Sequence, residues 1–115
     1  MAQSTHERPR LRVTTAWRAS YDPALRVYAG ETVTPGRKDT EHPGWQWVET
    51  KDRLGDWIPE AILQGTRISA GFDTVELTVA TGDIVTCITS RSGWHWCRDI
   101  SGREGWLPAT HLSHL

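Results

Sequence analysis

Gly44-Trp45-Gln46-Trp47, continuing through Gly55-Asp56-Trp57-Ile58-Pro59, returns as Gly93-Trp94-His95-Trp96, continuing through Gly105-Trp106-Leu107-Pro108. In both copies the first Trp stands fourteen residues before the Pro, so the two stretches align without a gap. Upstream, Leu25-x-Val27-x-x-Gly30-Glu31-x-Val33 recurs as Leu77-x-Val79-x-x-Gly82-Asp83-x-Val85. The chain is therefore a tandem repeat of roughly fifty residues per unit, and such repetition governs every later step of the reading. It predicts two units, at 12–63 and 68–115, behind a polar, frayed tail at 1–11. Gln64-Gly65-Thr66-Arg67 is left as the connector, short enough to imply a fixed relative orientation. Val13 to Leu25 spans twelve residues and Ile68 to Leu77 spans nine, so the second unit is expected to have the shorter first loop.

Gly and Pro punctuate the sequence at short intervals. The runs between them, such as Ile84-Val85-Thr86-Cys87-Ile88-Thr89 and Trp94-His95-Trp96-Cys97-Arg98, are rich in β-branched and aromatic residues. No segment sustains a helical apolar period, so the fold class is all-β, with about five short strands per unit closing into a small barrel. Alternation assigns the faces. Val48 and Cys97 are the apolar members of their strands on the side opposite the Trp pairs, so theirs is the core side. Trp45 with Trp47, and Trp94 with Trp96, are then pushed to the outer or groove side, with Gln46 and His95 at the rim. After each Pro there is room for one 3₁₀ turn and a terminal strand.

The ordered motifs resemble two Src homology 3 domains, and the likeness covers nearly the whole chain. It is strongest at Leu77-Thr78-Val79-Ala80-Thr81-Gly82-Asp83-Ile84-Val85 and at Ser101-Gly102-Arg103-Glu104-Gly105-Trp106-Leu107-Pro108. The variant motifs are similar to those of tandem bacterial forms. The resemblance implies two five-stranded, partly open barrels, each with an aromatic groove for an extended, proline-rich peptide; a polyproline II helix enters such a groove at small ordering cost. By the same resemblance Trp45 and Trp94 match the groove Trp, Pro59 and Pro108 the groove Pro, and Trp17 the second aromatic of the first strand motif. Asp22 falls in the loop whose acids capture a ligand's basic residue, and Phe72, Asp73 and Glu76 stand for these elements in the second unit. Where the family carries Asn-Tyr after the Pro, this chain has Ala61-Ile62 and Thr110-His111, so the phenol is missing from both units and His111 takes a groove position.

Composition narrows the function. A net charge of −1, with eight acids against seven bases in 12–63 and five against four in 66–115, lacks the basic excess that nucleic-acid binding needs. No apolar run approaches a membrane span and no secretory segment opens the chain, so a cytoplasmic protein is expected. Seven Trp against one Phe and two Tyr favour recognition surfaces. Trp45 and Trp94 are read as ligand platforms or as packing between the units, and Trp57 and Trp106 as structural or groove-edge. Cys87 and Cys97, both inward on adjacent strands, are expected to be buried free thiols, with a disulfide between them as the alternative. The five His show no metal-ligand spacing, and no nucleophile elbow, phosphate loop or carboxylate pair appears, so neither a cofactor nor catalysis is expected. The resulting expectation is a peptide- or protein-binding module, monomeric or weakly dimeric. Its rivals are a cell-wall binder and an assembly protein with buried Trp faces.

Overall fold

The computed structural model describes residues 8–20 and 24–115. It is all-β: twelve short strands and two 3₁₀ turns form open sheets among the described residues. The strands are β1 (Arg10–Val13), β2 (Arg26–Val27), β3 (Thr34–Lys38), β4 (Trp45–Glu49), β5 (Gly55–Pro59), β6 (Leu63–Gln64), β7 (Arg67–Ile68), β8 (Phe72–Asp73), β9 (Ile84–Arg91), β10 (Trp94–Arg98), β11 (Glu104–Pro108) and β12 (Leu112–His114). The 3₁₀ turns Glu60–Ile62 and Ala109–His111 follow Pro59 and Pro108, as the repeat predicts.

The division of the chain differs from that read off the repeat. One compact unit comprises residues 1–18 and 77–115, and the other residues 19–76. The reason lies in Gln64-Gly65-Thr66-Arg67, which is a hairpin turn inside the second of these units. Gly65 sits at φ +64°, where a side chain would be strained, and β7 folds back antiparallel on β6 with Leu63 opposite Ile68. Ile68 is thereby delivered, 1% exposed, into a core with Leu25, Val27, Val33, Val48, Ile58 and Ile62. The loop comparison between Val13–Leu25 and Ile68–Leu77 lapses with it, because each of those pairs is divided between the two units.

The 1–18/77–115 unit takes its opening strand from the other end of the chain. β1 lies inside a five-stranded sheet of order β11-β10-β9-β1-β12, with Leu11 opposite Val85 and His114. The expected frayed tail therefore ends early: residues 1–7 lie outside the described residues, but Leu11 is 4% exposed because it fills the core with Val13, Leu77, Val79, Val85, Cys87, Cys97 and Leu107. The two opening strands are held in the same way. Val13 N donates to Asp83 O at 2.8 Å while Val13 O accepts from Gly82 N at 2.8 Å; Ile68 N donates to Glu31 O at 2.8 Å while Ile68 O accepts from Gly30 N at 2.7 Å. Thr14 N then reaches His111 O, as Ser69 N reaches Ile62 O.

The 19–76 unit closes on its own ends. Ser20 N donates to Glu76 Oε1 at 2.9 Å, and buried Thr74 both accepts from Leu25 N and donates to Leu25 O, each at 2.8 Å. This stitching, with β2 paired to β8, makes residues 19–76 a self-contained insertion in the other unit's chain.

Two outcomes follow. A fragment of residues 19–76 should fold alone, with dispersed amide spectra, whereas 12–63, lacking Ile68 and Phe72, should not. Within the full chain, Ile68→Ala should destabilise the 19–76 unit by about 2–5 kcal/mol, read by residue-resolved hydrogen exchange, and leave the protection of Val85 and Leu107 unchanged.

Candidate functional site

Each unit carries a Trp-Pro pair set by strand register. In the 1–18/77–115 unit β10 and β11 place Trp94 opposite Pro108 and Trp96 opposite Trp106; in the 19–76 unit β4 and β5 place Trp45 opposite Pro59 and Trp47 opposite Trp57. The opposite faces bury Cys97 and Leu107, or Val48 and Ile58, all 0% exposed, so the face assignment from alternation holds.

Trp17 joins Trp94, because a backbone bridge to Val79 anchors it there: Trp17 N donates to Val79 O at 3.0 Å and Val79 N to Trp17 O at 2.8 Å. The Trp17 and Trp94 rings meet edge to face, with centroids 5.6 Å apart and planes at 77°. His111 packs on Trp17 from another side at 5.1 Å and 86°. Its Nδ1 lies 3.1 Å from Thr15 O, and since a carbonyl can only accept, Nδ1 carries the proton and Nε2 is an acceptor in the neutral ring. All three rings remain half-buried, beside a buried Pro108.

The matching cluster in 19–76 is built differently. Phe72 occupies the place of Trp17 and meets Trp45 at 5.8 Å and 65°, while Trp45 itself is only 6% exposed. Asp73 and Glu76 belong here, not with Trp94. Asp73 accepts from Val75 N at 3.0 Å and faces Arg26 at 3.7 Å, and Glu76 holds Ser20 N. Both carboxylates thus serve the stitching of the unit. Asp22 lies outside the described residues. Trp17 and Phe72 have accordingly exchanged the units that sequence order gave them, because the Gly65 turn sends the second opening strand back into the first repeat.

Trp47 and Trp96 pair with Trp57 and Trp106, the two indoles read from sequence as structural or groove-edge. Trp47 meets Trp57 at 5.4 Å, with the Arg37 guanidinium carbon 5.9 and 5.1 Å from the two ring centres; Trp96 meets Trp106 at 5.2 Å and donates to Glu104 Oε1 at 3.0 Å. Glu104 is held by Arg98 at 2.7 Å, and these donors keep its carboxyl below the usual range. Gly36 and Gly55 make room for Trp47: a Cβ on Gly36 would lie 2.9 Å from Trp47 Cδ1, and one on Gly55 would overlap the indole outright. Arg37, Lys38, Asp39, Thr40, Glu41 and Trp57 line an open pocket of about 380 Å³ beside this pair.

Among the described residues no group of three or more His, Cys, Asp or Glu side chains is placed to hold a metal, and no helix is long and apolar enough to cross a membrane. No protein-family model matches the chain.

One buried acid was missed by sequence reading. Asp56 is 3% exposed and accepts from Trp57 N at 2.7 Å; burial, with a smaller push from Glu76, drives its carboxyl from an ordinary 3.8 up to about 6 despite the hydrogen bonds from Trp57 and Thr74. Between those two values the folded state binds more protons than the unfolded state, so Asp56 lowers stability as pH rises from about 4 to about 6. Asp56→Asn retains the acceptor for Trp57 N and removes this loss. Relative to wild type, the variant should gain on the order of 2–3 kcal/mol between pH 4 and pH 7, measured by denaturant unfolding of the 19–76 unit at each pH.

Proposed function

We propose that this protein is a non-catalytic binding module made of two Src homology 3-like folds, and that the Trp17, Trp94, Pro108 and His111 cluster is its ligand-contacting surface. The observation that carries this reading is the difference between the two clusters. Trp94 and Trp17 stay half-buried and edge to face, while their counterpart Trp45 is closed over at 6% exposure. Flat ring walls set at a steep angle suit a chain that is already extended. A polyproline II segment enters such a site with little ordering cost, and its rings pack on indole faces. His111, where the family has a Tyr, retains an acceptor at Nε2 for a ligand N–H.

Asp73 and Glu76, two of the acids expected to capture a basic ligand residue, belong to the 19–76 unit and hold its own backbone there. Ligand choice at the Trp94 cluster then rests on ring packing rather than on charge. Affinity should be weak, around micromolar, since a shallow surface returns little beyond the cost of association, and it should change little with ionic strength.

Indole and amide proton–nitrogen spectra, recorded during titration with proline-rich and wall-derived peptides, test the reading. The expected result is that the Trp94 and Trp17 indole signals shift while the Trp45 indole stays fixed, and that Trp94→Ala abolishes the response with the amide dispersion of the fold retained. Shifts centred on Trp45, or silence at Trp94 with every peptide, would refute it. A response to the wall-derived peptides alone would select that class of ligand for the same surface.

A further inference from the structure

Cys87 on β9 and Cys97 on β10 are direct partners across the two strands, both facing the core and both free thiols, with a bulge between Trp96 and Cys97. Cys87 N donates to Pro9 O at 2.8 Å, so the backbone of Cys87 is engaged on the β1 side and the Cys87–Cys97 position is a non-hydrogen-bonded pair. Such pairs bring Cα atoms to about 4.5 Å, within the span of roughly 4.4–6.8 Å that a disulfide requires. The surroundings distinguish the two sulfurs. Cys87 Sγ lies 3.5 Å from His95 Nδ1, 3.8 Å from Ser90 Oγ and 3.7 Å from Thr89 O, so a polar wall meets it at the edge of the core. Ser90 Oγ is 2.6 Å from the same His95 Nδ1 and fixes the ring. Cys97 is 0% exposed, and burial pushes its thiol up to about 12, so it stays protonated.

We propose that Cys87 and Cys97 form a peroxide-responsive thiol pair, which closes to a cross-strand disulfide and locks the β9–β10 hairpin that carries Trp94. The Cys87 thiol gives its proton to the Ser90 hydroxyl as that hydroxyl passes its own proton to His95 Nδ1, and the thiolate attacks one oxygen of hydrogen peroxide. The O–O bond breaks, and the departing hydroxide takes the imidazolium proton to become water, leaving a sulfenic acid on Cys87. The Cys97 sulfur then attacks the Cys87 sulfur; the S–O bond breaks, and hydroxide leaves with the Cys97 proton as a second water. Two thiols lose two electrons in all and one peroxide becomes two waters. Neither sulfur has to change strand or face.

The test is exposure of the full-length protein to hydrogen peroxide, followed by denaturing alkylation and intact mass measurement. The expected product is a monomer lighter by two hydrogens that takes up no alkyl group, reverts with dithiothreitol and melts several degrees higher in the 1–18/77–115 unit. Cys97→Ser should stop at a single added oxygen on Cys87, trapped by dimedone, and His95→Gln should slow the wild-type closure several-fold. Two alkylated thiols after peroxide treatment, or a disulfide-linked dimer, would overturn the proposal, and that readout needs only the wild-type chain.

Discussion

Everything in this fold depends on a two-residue turn. Because Gly65 adopts a left-handed conformation, β7 returns antiparallel along β6, and Ile68 falls into the core formed by Leu25, Val27, Val48 and Ile58. That place is then filled. The equivalent apolar strand at the chain's beginning, with Leu11 and Val13, completes the core made by residues 77–115. Burying an Ile or Val side chain contributes roughly 1.5–3 kcal/mol, so neither unit can forgo its opening strand. The outcome is one unit inserted in the chain of the other, tied at its ends by Thr74 and Glu76.

Much of this was legible from the residues. Two copies of a Trp-x-Trp strand followed by a Trp-x-Pro strand gave the hairpin ladders, and Val48 and Cys97 gave the core side of each. The partnership of opening strands was not legible, for a physical reason. Val13-Thr14-x-x-Trp17 and Ile68-Ser69-x-x-Phe72 have the same pattern and make the same backbone hydrogen bonds, so hydrophobic periodicity cannot choose between their two destinations. Turn chemistry chooses. Gly65 between two strand-like pairs was the available signal, and reading Gln64–Arg67 as a linker passed over it. The burial of Asp56 was equally hidden, since an acid between Gly55 and Trp57 on an alternating strand gives no sign of the Thr74 side chain that meets it from a remote segment.

The exchange bears directly on the proposed ligand surface. Residues that sequence order would assemble into one site, Trp94 and Pro108 with Phe72, Asp73 and Glu76, are divided between units. Among the described residues, Trp94 is left in a cluster of rings with Trp17, and Trp45 in a closed cluster whose neighbouring acids hold backbone amides. Repeat symmetry in the sequence has thus produced two similar scaffolds with unequal surfaces. The neighbouring pairs, Trp47 with Trp57 and Trp96 with Trp106, stiffen the same hairpins on the same face, one through Arg37 and glycine clearances and the other through Glu104 and Arg98.

The most direct measurement of this account is the set of proton–proton Overhauser contacts from the Trp17 indole in the full-length protein. The account predicts contacts to Trp94, His111 and Val79, with Phe72 in contact with Trp45 and Val27. Contacts from Trp17 to Trp45 and Pro59, and from Phe72 to Trp94 and Pro108, would restore the sequence-ordered domains and contradict the exchange on which the proposed site rests.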